Sequence, residues 1–310
     1  MSLLDRAGLP PGPEGGPPLT VDVELLDKAT IAAVVGPVRI LAERLTVCCE
    51  DEDLGRFVAA FLAAFEPADE GRAVLHVVRW REWWVAYENG ARARTLKSIA
   101  EVARWLVWHL NAIGQTASSR HVLVHAAVAS YGSRAVVLPG RSGAGKTTLV
   151  TALALAGWSY LSDEIAALDP DDDIVGPYPR PLALEPEAGA IVPGALGRWP
   201  SEVPRLVTDL ELLLPASLGA GPARPARPGA IVFLEVVPGS PARLEPLGRA
   251  EALERLVPHT LNLSVLGPRG FRSLARHVRR CQCRRLVVDG VEGVPELLAT
   301  LVWSPERSER

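Results

Sequence analysis

The run Gly140-Arg141-Ser142-Gly143-Ala144-Gly145-Lys146-Thr147-Thr148 constrains this chain more than any other stretch of its 310 residues. It satisfies the pattern G-x₄-G-K-[S/T], the Walker A or P-loop rule. Residues 135–138 before it are apolar and read as a strand, while residues 147–156 after it read as a helix stopped by Gly157. A strand that ends in glycines and opens a helix aims several backbone N–H groups, and the helix dipole, at one anion. The glycines let the backbone close around phosphate oxygens with no Cβ in the way. In such a loop Lys146 reaches the β- and γ-phosphates, and the Thr147 hydroxyl ligates Mg²⁺. The expectation is ATP and Mg²⁺, with residues 140–148 cradling the phosphates.

The bulk composition removes several other classes. Hydrophobic residues make up 48% and charged residues 22%, which is enough for a real core. A net charge of −3 gives no electrostatic case for nucleic acid or an anionic membrane. No basic segment followed by an apolar one marks a secretion signal, and no apolar run approaches the ~20 residues that span a bilayer. The four cysteines form two tight pairs, Cys48-Cys49 and Cys281-Gln282-Cys283, which suit neither a disulfide nor a zinc site. They read as reduced thiols of a cytoplasmic protein. Self-association into a homo-oligomer stays open.

Along the chain, residues 1–20 are dense in Pro and Gly and read as a disordered leader. Residues 21–115 read as a smaller α+β domain: a strand at 38–47, a helix at 53–65, strands at 73–80 and 83–88, an Asn89-Gly90 turn, and a helix at 99–113. Its tryptophans are expected to build core rather than a ligand platform. Residues 116–310 read as an α/β domain around the glycine-rich loop. Strands are expected at 121–130, 134–138 and 159–168, the last running unbroken through Asp163-Glu164. A helix is expected at 207–214, a mobile loop at 218–229, strands at 230–237, 243–246 and 283–289, and helices at 249–257, 270–280 and 294–302. Residues 169–173 are acidic and read as a solvated turn.

Asp163 lies seventeen positions after Lys146, the length of one three-turn helix, a glycine stop and a short strand. That interval carries it to the C-terminal end of the neighbouring strand, where ligands of such sheets bind. A carboxylate there can ligate Mg²⁺ or accept the proton of an attacking hydroxyl. Glu164 follows directly and along a strand would point the other way.

The segment 122–168 resembles the catalytic domain of HPr kinase/phosphorylase and, more closely, the HPr-kinase-related serine kinases of peptide-modifying gene clusters. Its loop also resembles the nucleotide site of phosphoenolpyruvate carboxykinase. The resemblance is strongest over residues 121–170 and weakest over 1–115. It implies a P-loop domain of the HPr kinase/carboxykinase type, and a phosphotransferase acting on a serine hydroxyl of a protein or peptide. It further implies His125 beside the γ-phosphate, Asp163 as catalytic base, and Glu164 as a second acidic residue where the family has Asp; Thr147, Asp163 and Glu164 are the candidate metal ligands. The segment Glu-Ile-Arg-Gly-Leu-Gly that follows the acidic pair in true HPr kinases is replaced here by residues 179–186, so HPr itself and reverse phosphorolysis are not implied. Within that replacement Arg180 is the candidate cation for phosphate or substrate. His259 and Asn262, three apart, are expected to share one face of a helix end.

Two other readings compete. A small-molecule hydroxyl kinase would use the same loop and carboxylate. A nucleotide-sensing or NTP-hydrolysing switch would use the loop alone, but a Leu-Ser-Gly-Gly-Gln signature is lacking.

Overall fold

The computed structural model describes residues 22–116, 120–219 and 223–302; the proline-rich leader lies outside them. The contacts divide the chain into two compact units. One is Met1–Ala117 with Trp199–Asp209, the other Ser118–Arg198 with Leu210–Arg310. The division is thus not a single cut near residue 115, because an eleven-residue segment of the second half packs with the first unit.

The first unit carries α1 (Asp22–Lys28), β1 (Ala33–Ile40), β2 (Glu43–Cys49), α2 (Glu52–Leu62), β3 (Glu66–Pro67), β4 (Ala73–Trp80), β5 (Trp83–Glu88), β6 (Ala91–Leu96) and α3 (Ile99–Thr116). Its sheet has the order β3-β1-β2-β4-β5-β6. The strand expected at 38–47 is a hairpin instead: Ile40 pairs with Glu43 across Leu41-Ala42, with Leu41 at φ 54°. Without Gly or Asn at that turn, the usual sign of a tight reversal is missing. Asp51 caps α2 by accepting from Leu54 N, and Leu54, Phe57, Val58, Phe61 and Leu62 turn their shared apolar face inward. Trp83, Trp84 and Trp105 are buried, while Trp108 is 57% exposed.

The second unit follows as β7 (Val122–Tyr131), β8 (Arg134–Pro139), α4 (Lys146–Leu155), β9 (Ser159–Ser162), β10 (Ile165–Leu168), β11 (Val175–Gly176), β12 (Leu182–Leu184), α5 (Pro186–Ile191), β13 (Glu211–Leu213), β14 (Arg227–Val236), β15 (Arg243–Pro246), α6 (Arg249–Leu256), α7 (Leu263–Arg280), β16 (Gln282–Val288) and α8 (Val294–Val302). The main sheet runs β11-β10-β7-β8-β14-β16-β15, with β9 also pairing β7. β8, β14 and β16 are parallel; β7 and β15 run against them. The middle of β8 and of β14 is buried on both faces, as a parallel centre requires: one apolar cluster joins Leu138, Leu149, Leu153, Val232 and Leu298, the other Val124, Val137, Ile231, Leu256 and Leu274. The fold is mixed α/β with several sheets.

Three expectations change here. The helix expected at 207–214 is absent; Glu211–Leu213 is β13, paired with β12. The loop expected at 218–229 is in part ordered structure, with Arg227 onward in β14 and residues 220–222 outside the described residues. The helix α7 starts earlier than residue 270, breaks at Gly267 (φ 53°, ψ −134°) and then continues past Pro268.

Candidate functional site

The glycine-rich loop leaves the C-terminal end of β8 and opens α4. Gly143 and Gly145 have φ of 77° and 84°, a region that costs other L-residues energy. At Gly145 an added Cβ would also sit 3.3 Å from Leu234 Cδ2 of β14. β7 runs antiparallel to β8, so its early residues border the same loop, and Gly140 N donates to His125 O at 3.3 Å. Arg141, Ser142 and Gly143 are exposed, whereas Lys146 is 5% exposed. Lys146 Nζ donates to Gly140 O and Arg141 O, both at 2.8 Å. Its ammonium therefore lies curled inside its own loop.

Asp163 and Glu164 do not lie on one continuous strand. The pairing of β9 with β7 ends at Ser162 opposite Val128 and resumes in β10 with Ile165 opposite His125. Between them Ser162 Oγ accepts from Glu164 N at 3.1 Å and Ile165 N at 2.9 Å, a side-chain turn that breaks the pleat. The expectation that the two carboxylates point apart fails for this reason. Both reach the guanidinium of Arg180: Nε to Asp163 Oδ1 at 2.9 Å, Nη2 to Asp163 Oδ2 at 3.2 Å, and Nη2 to Glu164 Oε2 at 3.3 Å. Thr147 Oγ1 donates to Asp163 Oδ2 at 3.3 Å. Asp163 is 1% exposed and Arg180 8% exposed. Arg180, expected to meet phosphate or substrate, is engaged by the two acids.

The electrostatics follow from burial among mixed charges. Burial pushes the His125 imidazole down to about 4, with the charges of Lys146 and Arg180 in the same direction and Asp163 opposing. Its Nε2 lies 3.6 Å from Glu164 Oε1, close enough for an ion pair; an imidazole that protonates near 4 is uncharged at neutral pH, so none forms there. Burial lowers Lys146 against the pull of Glu164 and Asp163, and raises Glu164 against the pull of Arg180. For Arg180 burial works against the charge, but Asp163 and Glu164 outweigh it and the group is held more firmly cationic than an ordinary guanidinium.

His259 closes a short 3₁₀ turn at Val257–His259, and its pKa is lowered by burial first and then by His125, Lys146 and Arg141. Asn262 is buried elsewhere: its Oδ1 accepts from Leu123 N at 3.0 Å and its Nδ2 donates to His121 O at 2.8 Å, binding the start of β7. The two do not share a helix face, because Thr260 and Leu261 between them are extended against Val124 and Leu123.

Sequence reading missed Tyr160. It is fully buried, and its hydroxyl stands 3.0 Å from both Asp163 Oδ1 and Arg180 O. The available signal was a tyrosine in an apolar strand three residues from an acid, since a buried phenol needs a polar partner.

The donor set suits a hard cation. The Thr147 hydroxyl and Asp163 carboxylate are oxygen donors 3.3 Å apart, and Mg²⁺ is commonly held by one or two such groups plus phosphate oxygens. Among the described residues no group of three or more His, Cys, Asp and Glu forms a metal cage, which such a shared site does not require. The glycine loop, with Lys146 and the start of α4, suits an anion beside it.

No family model matches the chain, and no curated protein matches it. Among solved structures it is similar to the Hpr(Ser) kinase/phosphatase from Coxiella burnetii, at 14% identity and a TM-score of 0.29, over 58% of this chain and 93% of that one. Among the described residues no helix is long and apolar enough to cross a membrane.

Proposed function

We propose that the second unit is an ATP- and Mg²⁺-dependent kinase domain of the HPr kinase/carboxykinase type, transferring the γ-phosphate to a hydroxyl of a serine in a protein or peptide. The observation that carries this reading is the approach of Asp163 to Thr147, 3.3 Å apart across sixteen residues, beside a glycine-rich loop that opens a helix. Two groups with complementary tasks in phosphoryl transfer thus share one place.

Residues 140–148 hold the phosphates through backbone N–H groups. Lys146 leaves the carbonyls of Gly140 and Arg141 for the more strongly attracting phosphate oxygens. Mg²⁺, when bound by Thr147 and Asp163 with Glu164 at hand, neutralises phosphate charge. Asp163 orients the acceptor hydroxyl and takes its proton. His125, neutral at pH 7, offers the transferred group a hydrogen bond rather than a positive charge. Arg180 holds the two acids in place. A small-molecule hydroxyl acceptor would use the same residues.

The test is incubation with γ-labelled ATP, Mg²⁺ and candidate acceptors, including peptides encoded beside the gene and small hydroxyl compounds. Phosphoserine should form and should fall at least about a hundredfold in Asp163→Asn and Lys146→Ala, given the worth of a general base or a phosphate cation. Circular dichroism checks that both variants fold. ATP hydrolysis that ignores every acceptor and survives Asp163→Asn would instead support the switch reading.

A further inference from the structure

We propose that Tyr160 is a positioning residue whose hydroxyl braces the Arg180–Asp163 pair from behind. The Tyr160 oxygen lies 3.0 Å from Asp163 Oδ1 and 3.0 Å from the backbone carbonyl of Arg180. One O–H therefore links the side chain of residue 163 to the main chain of residue 180, seventeen positions later.

The brace has a rigid base. Tyr160 sits in β9 opposite Ala129 and is 1% exposed, so its ring cannot turn away without opening the core. The next residue, Leu161, accepts from Tyr178 N at 2.8 Å, and Arg180 N donates to Tyr178 O at 3.0 Å. Residue 178 is thereby tied to β9, and Arg180 is turned back on it by a tight local bond, which leaves the Tyr160 hydroxyl as the second tie between the segment and the strand. Arg180 can then present Nε and Nη2 squarely to the two oxygens of Asp163, the fork geometry that makes such pairs strong.

The hydroxyl has one proton and two acceptors at 3.0 Å, so the two contacts share it as a three-centre hydrogen bond that ties both oxygens to one ring. With the ring alone, Arg180 Nε is the one partner left to Asp163 Oδ1 among the described residues. The carboxylate, still held by Arg180 and Thr147, is then less firmly oriented, and a displacement of about 1 Å at a reacting group is costly. Tyr160 is 1% exposed and offers a bound molecule no surface, so it acts through Asp163. The catalytic part of the inference rests on the proposed function, while the brace does not.

The test is Tyr160→Phe in the full chain, which keeps the ring and removes one oxygen. In protein labelled with ¹⁵N-arginine, the Nε–H signal of Arg180 is identified by its loss in Arg180→Lys. Its exchange with solvent should quicken by about tenfold to a hundredfold in Tyr160→Phe, the worth of one buried hydrogen bond to a charged group. An unchanged exchange rate overturns the brace, whatever the enzyme does. In the kinase assay kcat should fall by at least about tenfold, with KM for ATP within about twofold of the parent. Equal losses in kcat and nucleotide affinity would mean a general loosening of the unit and would overturn the positioning role. If the parent protein transfers no phosphate, the proposed function fails, and the exchange comparison still decides the brace.

Discussion

Arg180 and Asp163 form a two-point ion pair, Nε to Oδ1 at 2.9 Å and Nη2 to Oδ2 at 3.2 Å, with the carboxylate 1% exposed. Breaking one side strands a buried charge. Arg180→Ala should therefore destabilise the second unit by about 3–5 kcal/mol, read from denaturant midpoints. Arg180→Lys should recover only part, because an ammonium cannot match the planar fork. Equal stability of Arg180→Ala and the parent would show that the pair does not persist in solution.

Gly145 and Gly248 make a matched contrast. Gly145 has φ of 84°, and a methyl group added there would lie 3.3 Å from Leu234 Cδ2, whereas Gly248 has φ of −64° and open space around it. Gly145→Ala should cost about 1–2 kcal/mol from the left-handed backbone and weaken ATP binding in calorimetry. Gly248→Ala, an N-cap of α6 with room for the methyl group, should leave ATP binding unchanged and cost less than about 1 kcal/mol.

His125 makes a pH prediction. Its pKa is pushed from 6.5 to about 4 by burial, with Lys146 and Arg180 adding to the effect. Between those values the unfolded chain binds a proton that the folded chain does not, so stability falls as pH drops from about 6.5 towards about 4. In His125→Gln that part of the slope should disappear, which thermal melts across the interval will show. In the parent, the His125 ring signals should not titrate between about pH 8 and about 5.5.

Asn262 should matter to stability more than its place near a turn suggests. Both amide atoms serve the buried backbone of β7, through Leu123 N and His121 O. Asn262→Ala leaves those groups unsatisfied and should cost about 2–3 kcal/mol, whereas His259→Ala, a half-exposed site, should cost less than about 1 kcal/mol. Reversed magnitudes in urea denaturation would refute this assignment.

The elements that were legible are those with a strong local cause. β4 and β5 match their expected bounds because their residues are β-branched and aromatic and the reversal at Asn89-Gly90 carries the usual turn residues, with φ of 50° and 82°. The reversal at Leu41-Ala42 was illegible because Leu41 adopts a left-handed φ that its side chain does not advertise. Residues 207–214 misled for another reason: their leucines satisfy a helical spacing, yet the chain passes from one unit to the other after Asp209 and pairs Leu213 with Leu182 in a strand. Pairing partners about thirty residues away leave no periodic mark in the segment itself.

The candidate site divides along the same line. What the sequence by itself determined was the glycine-rich turn between β8 and α4, since the left-handed φ of Gly143 and Gly145 and the start of the helix at Lys146 follow from local residue types and spacing. The choice of Asp163 as the acid beside it also followed from an interval along the chain. Only the tertiary structure decided where Glu164 points, because that depends on the Ser162 side chain breaking the strand. It alone decided that Arg180 is held by both acids, that Lys146 rests on its own loop, and that Tyr160 ties residue 163 to residue 180. The Arg180 contacts join positions sixteen to twenty apart, the others turn on side-chain placement within a few residues, and in both cases a side chain takes its place only after burial has selected which polar groups must satisfy one another.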